Sequence, residues 1–324
     1  MITFITTAKP FVGSNRIHQL NAIKSWKRLH PGIEILLCGE GAGYADVVKE
    51  FGIVHLRDVE TTEQGTPLVS SMFELAEKYS RHRRKVLINC DIIVAEDFLK
   101  TFIEIERYLS AFVMVGERKS INIENIYRDG VVNFDEMNWH EQLSKEGRPF
   151  GCHGIEYFAY TGITWKDIPP FAFGRPRYDN WLIYYCLSRK IPVVDVSSSV
   201  AVFHQNHTYM HLAGGDVEYR DGIESRRNIA LAEDLRYYCT IQDAQFKYMD
   251  GRLIRNLCRD DSERCVQVYQ MLHQDSSMFH TRTGWFLLQA YYELIIRLND
   301  TRKGKIKRLV KFIPWLILKI MHRR

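Results

Sequence analysis

Short apolar, β-branched runs alternate with stretches of helical period through the first 120 residues. Residues 2–6 read as a strand and 15–29 as a helix with apolar positions Ile17, Leu20, Ile23 and Trp26. A strand at 33–38, a short helix at 45–51 and a strand at 53–56 follow. Pro67 suits the first turn of a helix running to Tyr79, with Met72, Phe73 and Ala76 on its buried face. A strand at 86–91, a helix at 97–109 and a strand at 112–116 complete the series. Such β-α-β alternation predicts a parallel sheet with helices on both faces.

The pattern dissolves between 117 and 154 into polar, glycine-containing sequence, which predicts a loop-rich insertion over the sheet edge. Regularity returns at 156–160, then in a helix at 179–187 and a strand at 191–196. Beyond Gly214-Gly215 the chain reads as mostly helical, with candidates at 223–238, 262–273 and 284–298. The expected organisation is a body over 1–235, a helical extension over 236–300 and a basic tail over 301–324.

Charge changes the picture only at that tail. The chain of 324 residues carries a formal +5, but residues 302–324 hold nine Lys/Arg and no acid, leaving 35 basic against 39 acidic residues elsewhere. A mildly acidic body argues against nucleic-acid binding, which calls for a basic patch. In the tail, Ile306, Leu309, Val310, Ile313, Leu316, Ile317 and Ile320 recur at helical spacing among the cations, with Trp315 beside them. That is the pattern of a helix lying on an anionic membrane surface, kinked at Pro314; a helix docked on protein would look the same. No apolar run reaches the roughly 20 residues that span a bilayer, and the N-terminus lacks a signal-peptide pattern. Seven scattered cysteines without a C-x-x-C pair suggest reduced thiols. The expected location is cytoplasmic, peripheral on the inner membrane face.

Three constellations carry candidate chemistry. The first is Ile88-Asn89-Cys90-Asp91-Ile92. On a strand, Asn89 and Asp91 would point to one side, at the edge where open α/β sheets bind ligands; a strand ending in a polar turn explains the triplet equally well. The second is Phe173-Gly174-Arg175-Pro176-Arg177-Tyr178-Asp179-Asn180-Trp181-Leu182. Here Asp179 suits a helix N-cap, where the dipole would lower its pKa. It also suits a base taking a proton from a hydroxyl, with Arg175 or Arg177 near phosphate oxygens. The third is Val202-Phe203-His204-Gln205-Asn206-His207, followed by His211. Imidazoles are common metal ligands, yet the spacing makes no self-contained zinc site. A metal shared with Asp91 is one reading; a structural histidine with exposed neighbours is the other.

In this order the three sets resemble nucleotide-sugar-dependent glycosyltransferases of GT-A fold, a bacterial-type branch distantly related to the inverting family-2 enzymes. Tyr157-Phe158 before Pro169-Pro170 and Glu224-Ser225-Arg226-Arg227-Asn228 agree with it. The resemblance spans residues 1–235 and implies a GT-A, Rossmann-like, mostly parallel sheet flanked by helices. It further implies that Asp91 is the last aspartate of a D-x-D motif holding Mn²⁺ or Mg²⁺ against the donor diphosphate. Asn89 replaces the first aspartate; it supplies no charge but can bond a ribose hydroxyl. Asp179 stands where the acidic pair with the catalytic base belongs, although Asn180 removes the second carboxylate. His204, with His207 as substitute, matches a histidine that completes the metal site. Thr6 and Thr7 match a loop against the nucleotide base. The implied partners are a nucleotide-sugar donor and a glycan or lipid-linked glycan acceptor.

Two other functions compete. A sugar-phosphate nucleotidyltransferase shares the sheet, but its phosphate loop after the first strand is glycine-rich, and 6–13 here has one glycine. A degenerate GT-A domain that binds nucleotide or scaffolds a membrane assembly fits the Asn89 and Asn180 departures.

Overall fold

Strand β1 (Ile2–Thr7) is an interior strand of the chain's main sheet, paired parallel on both sides. The computed structural model describes residues 1–207, 215–233, 235–256, 268, 271 and 272. The chain divides into two units, Met1–Arg255 and Asn256–Arg324. The expected helices at 262–273 and 284–298 and the tail at 301–324 fall wholly or almost wholly outside the described residues. Among the described residues no helix is long and apolar enough to cross a membrane.

After β1 come α1 (Gly13–Leu29), β2 (Glu34–Cys38), α2 (Tyr44–Phe51), β3 (Val54–Leu56), α3 (Val69–Tyr79), β4 (Arg84–Ile88), β5 (Ile92–Val94), α4 (Asp97–Ile105) and β6 (Phe112–Val115). Then follow β7 (Arg118–Ile121), α5 (Trp139–Glu146), β8 (Arg148–Pro149), β9 (Tyr157–Thr161), α6 (Tyr178–Ser188), β10 (Val193–Asp195) and β11 (Val202–Gln205). The remainder is α7 (Gly215–Asp221), α8 (Ile223–Leu231), β12 (Phe246–Met249) and β13 (Arg252–Arg255). The main sheet has nine strands in the order β13-β12-β10-β6-β9-β4-β1-β2-β3. It is mostly parallel; β9 runs antiparallel to β4 and β6, and β13 to β12. This is the expected α/β architecture, and the parallel strands β1, β2, β4 and β6 are buried along nearly their whole length, as sheets covered on both faces require.

Several expectations change. Residues 117–154 are mostly loop, as expected, but not merely an insertion: β7 and β8 join β5 and β11 in a second, four-stranded sheet. Ile93, Ile121, Ile123, Val132, Phe134, Trp139, Leu143 and Phe203 give that sheet its own apolar core. These residues are too widely spaced for any local period to reveal them. Residues 246–255, placed by pattern in a helical extension, instead form the β12–β13 hairpin. Asp250 and Gly251 at its tip have φ of 51° and 73°, the two positive values of a type I′ turn. Pro67 lies ahead of α3 in a bridge with Thr61 rather than in its first turn. Helix α1 buries His18, Asn21 and Ser25 while Ile17 and Leu20 are only partly covered, because it packs on both sheets. Trp26 stacks on Phe4 at 5.0 Å and donates to the Ile92 carbonyl.

Candidate active site

The strand expected over 86–91 ends at Ile88, and Asn89-Cys90-Asp91 forms the tight turn into β5. Period-two alternation therefore does not align Asn89 with Asp91. The Ile92 amide bonds back to the Asn89 carbonyl, and the two side chains engage different partners. Thr6 is fully buried and its hydroxyl donates to the Ile88 carbonyl at 2.7 Å, tying β1 to the start of this turn. Thr7 is half-buried at the end of β1.

The histidines arrive from β11. This strand pairs antiparallel with β5, setting His204 opposite Ile92, and the Gln205 amide reaches the Asp91 carbonyl. Gln205 is buried and binds Asn21 of α1, which also holds Gly130 and Val132. The outcome is a cluster of Asp91, His204 and His207 whose ligand atoms lie within 4.8 Å of one another. Asp91 Oδ2 is 3.1 Å from His207 Nε2 and 3.8 Å from His204 Nε2. The Lys9 ammonium stands 3.3 Å from the same His207 nitrogen.

Burial works against the charge on Asp91, but the imidazoles and Lys9 outweigh it and hold the carboxyl below its ordinary range. Burial pushes His204 down to about 4 despite Asp91, so near neutrality its imidazole is uncharged, the form that ligates metals. Asp91 Oδ1 and His204 Nδ1 are buried without a hydrogen-bond partner. A converging carboxylate and two imidazoles with a spare acceptor fit a divalent cation. The nitrogen donors favour Mn²⁺ over Mg²⁺, which prefers oxygen.

Asp179 sits in the first turn of α6, but the N-cap is Arg177, at φ +83°, not Asp179. The expected lowering of its pKa does not occur. Burial raises the Asp179 carboxyl to about 6, ahead of the opposing backbone amides, Arg177 and Arg118. Asn180 turns away from Asp179 to the Cys239 carbonyl at 2.8 Å.

Glu156, a carboxylate not among the expected site residues, lies just before β9, near enough to feel the charges of Asp91 and Asp179. It pairs with Arg118 and accepts the Asn89 side-chain amide. Burial raises its carboxyl to about 7 against Arg118, and the negative charges of Asp91 and Asp179 add to the rise. Its signal was an acid abutting the aromatic strand 157–160, legible only once β9 is known to begin beside Ile88. Lys9 and Arg118 were missed for the same reason: each is an ordinary loop or edge cation until the sheets assemble. Arg175 donates through Nε to Glu224 at 2.9 Å and is close enough to depress the Lys9 pKa, after burial. Arg177 lies over the Tyr238 ring at 4.9 Å.

No protein-family profile matches this chain, and no curated protein sequence matches it. Among solved structures it is similar to Staphylococcus aureus TarS at 11% identity and TM-score 0.41, covering 73% of this chain and 43% of that one. The TarS fragment 1–349, of which 36% is covered, has been solved with UDP; TM-score 0.30, 12% identity, 37% of this chain. A candidate nucleotide-diphospho-sugar transferase from Desulfovibrio desulfuricans G20 aligns at 10% identity and TM-score 0.39, covering 72% of this chain and 96% of that one. The chain thus spans less than half of the TarS chains it matches. Likenesses this slight assign neither a family nor an activity, and any functional statement has to come from this chain's own residues.

Proposed function

We propose that the chain is a glycosyltransferase. It moves a sugar from a nucleotide-diphosphate sugar, a UDP-sugar first among candidates, to a hydroxyl of a glycan or lipid-linked glycan, with inversion. One observation carries the reading: the Asp91–His204–His207 cluster shares a sheet edge with two carboxylates, Glu156 and Asp179, whose pKa values burial has raised toward neutrality.

Asp91, His204 and His207 would hold Mn²⁺, which when bound offsets the charge on the departing diphosphate. Lys9 and Arg175 supply further positive charge to the same group. Asp179 accepts the proton of the acceptor hydroxyl, a step worth roughly 10²–10⁴-fold. Thr7 and the loop after it lie against the nucleotide base. Residues 301–324 attach the protein to an anionic membrane, from the cytoplasmic side, where lipid-linked acceptors reside.

Lys9 favours a second reading. A cation just after the first strand is what a sugar-phosphate nucleotidyltransferase uses on its phosphates. The two differ in products: a nucleoside diphosphate for the transferase, pyrophosphate for the nucleotidyltransferase.

The test is thermal stabilisation by UDP-, GDP-, CMP- and dTDP-sugars, with and without Mn²⁺, on wild type and Asp91→Ala. Metal-dependent stabilisation by one nucleotide class, lost in the variant, is expected. A folded protein that responds to none would replace this reading with a degenerate scaffolding domain.

A further inference from the structure

Among the buried polar atoms of the described residues that lack a hydrogen-bond partner, several are spread through the fold and four lie around this site. Besides Asp91 Oδ1 and His204 Nδ1 in the metal cluster, they include Asn89 Oδ1 and Arg118 Nε. Folded interiors satisfy nearly all such atoms, so several in one place mark where a ligand or water belongs. The latter two flank Glu156. Its side chain is 12% exposed; Oε1 takes Arg118 and Oε2 takes the Asn89 amide. A carboxylate offers about four lone-pair sites, so both oxygens retain accepting capacity.

The polarity of this set identifies its ligand. Glu156 and Asn89 Oδ1 accept, while Arg118 Nε donates. Phosphate oxygens accept only, so they would leave the Asn89 Oδ1 acceptor unsatisfied. Hydroxyls donate and accept at once and satisfy all three.

We propose that Glu156, positioned by Arg118 and Asn89, is the specificity-determining residue for the transferred sugar and hydrogen-bonds its hydroxyl groups. The inference rests on the glycosyltransferase reading. Glu156 is close enough to feel the charges of both Asp91 and Asp179, and what lies between a metal-held diphosphate and the base is the sugar in transit. Asn89 then serves through Glu156, its amide being turned there rather than toward a ribose.

Isothermal titration in MnCl₂ tests this with UDP, GDP and dTDP against UDP-glucose, GDP-mannose and dTDP-glucose, on wild type and Glu156→Gln. The glutamine keeps the shape, and Asn89 can flip its amide to meet it. Expected is nucleoside diphosphate affinity unchanged within about twofold, with nucleotide-sugar affinity reduced about tenfold or more. An equal loss for both ligands, or no loss for either, would overturn the proposal. Should the variant fail to fold, the wild type is titrated with UDP-glucose analogues deoxygenated at each ring position. At least one must bind about tenfold more weakly, and uniform binding overturns the assignment. A wild type that binds no nucleotide at all would overturn the glycosyltransferase reading itself, and this proposal with it.

Discussion

Asp91 Oδ2 lies 3.1 Å from Nε2 of His207, although 116 residues separate them in the chain. The β5–β11 pairing brings them together, and the buried Asn21–Gln205 contact fixes the end of β11 from α1. His204→Ala and His207→Ala are each expected to weaken Mn²⁺ binding by at least about tenfold, and Asp91→Ala to abolish it. Mn²⁺ titration followed by electron paramagnetic resonance checks this, with the exposed Asp135→Asn as control. Unchanged affinity in the histidine variants would remove them from the metal site.

Asp179 imposes a pH dependence on activity. A base with a pKa near 6 is protonated and idle below that value, so kcat/KM is expected to rise through pH 6 and level off above it. Asp179→Asn should lose roughly 10²–10⁴-fold in rate and with it the acidic limb. A limb that persists in the variant would assign it to another group.

Glu156 should leave its mark on stability. Its pKa rises from 4.5 to about 7 on folding, so the folded chain holds this proton more tightly. The associated stability is present below pH 4.5 and is lost as pH climbs through 7. Across the full window a shift of this size corresponds to about 3 kcal/mol. Urea unfolding at pH 5 and pH 8 is expected to show wild type losing more stability with rising pH than Glu156→Gln. Equal losses would show that Glu156 titrates normally.

Glu224 is a clamp. It accepts both the Thr62 and Thr66 hydroxyls and pairs with Arg175, each ion-pair side chain being at most 16% exposed. The contact joins the segment before α3 to the loop before α6. Glu224→Ala would strand the Arg175 guanidinium and is expected to cost about 3–5 kcal/mol, whereas Thr62→Val should cost about 1 kcal/mol. Urea unfolding measures both; comparable small effects would show that the network is solvated.

How much of this was legible in the sequence differs from element to element. Strand β6 and most of β2 and β4 are apolar runs, β1 is rich in β-branched residues, and helices α2, α3 and α4 show strong apolar periodicity. Burial on both sheet faces writes itself into local composition, so the α/β class needed no tertiary information. Asp91, Asp179, His204 and His207 stood out because charged or ligating groups beside apolar strands require a compensating partner. Asn89 was misjudged, since the residue at which a strand yields to a turn depends on what pairs with it. The second sheet was invisible for the same reason: its core is assembled from β5, β7, β11 and α5, each too short to carry a period.

By itself, the sequence determined the parallel core and the residue types at its edge. Only the tertiary structure decided that Glu156 belongs with them. The direction of β9 leaves no local trace, yet running antiparallel between β4 and β6 is what brings Glu156 beside Asn89 and Arg118. Its electrostatics followed from that placement, because desolvation and neighbouring charge are properties of three-dimensional surroundings.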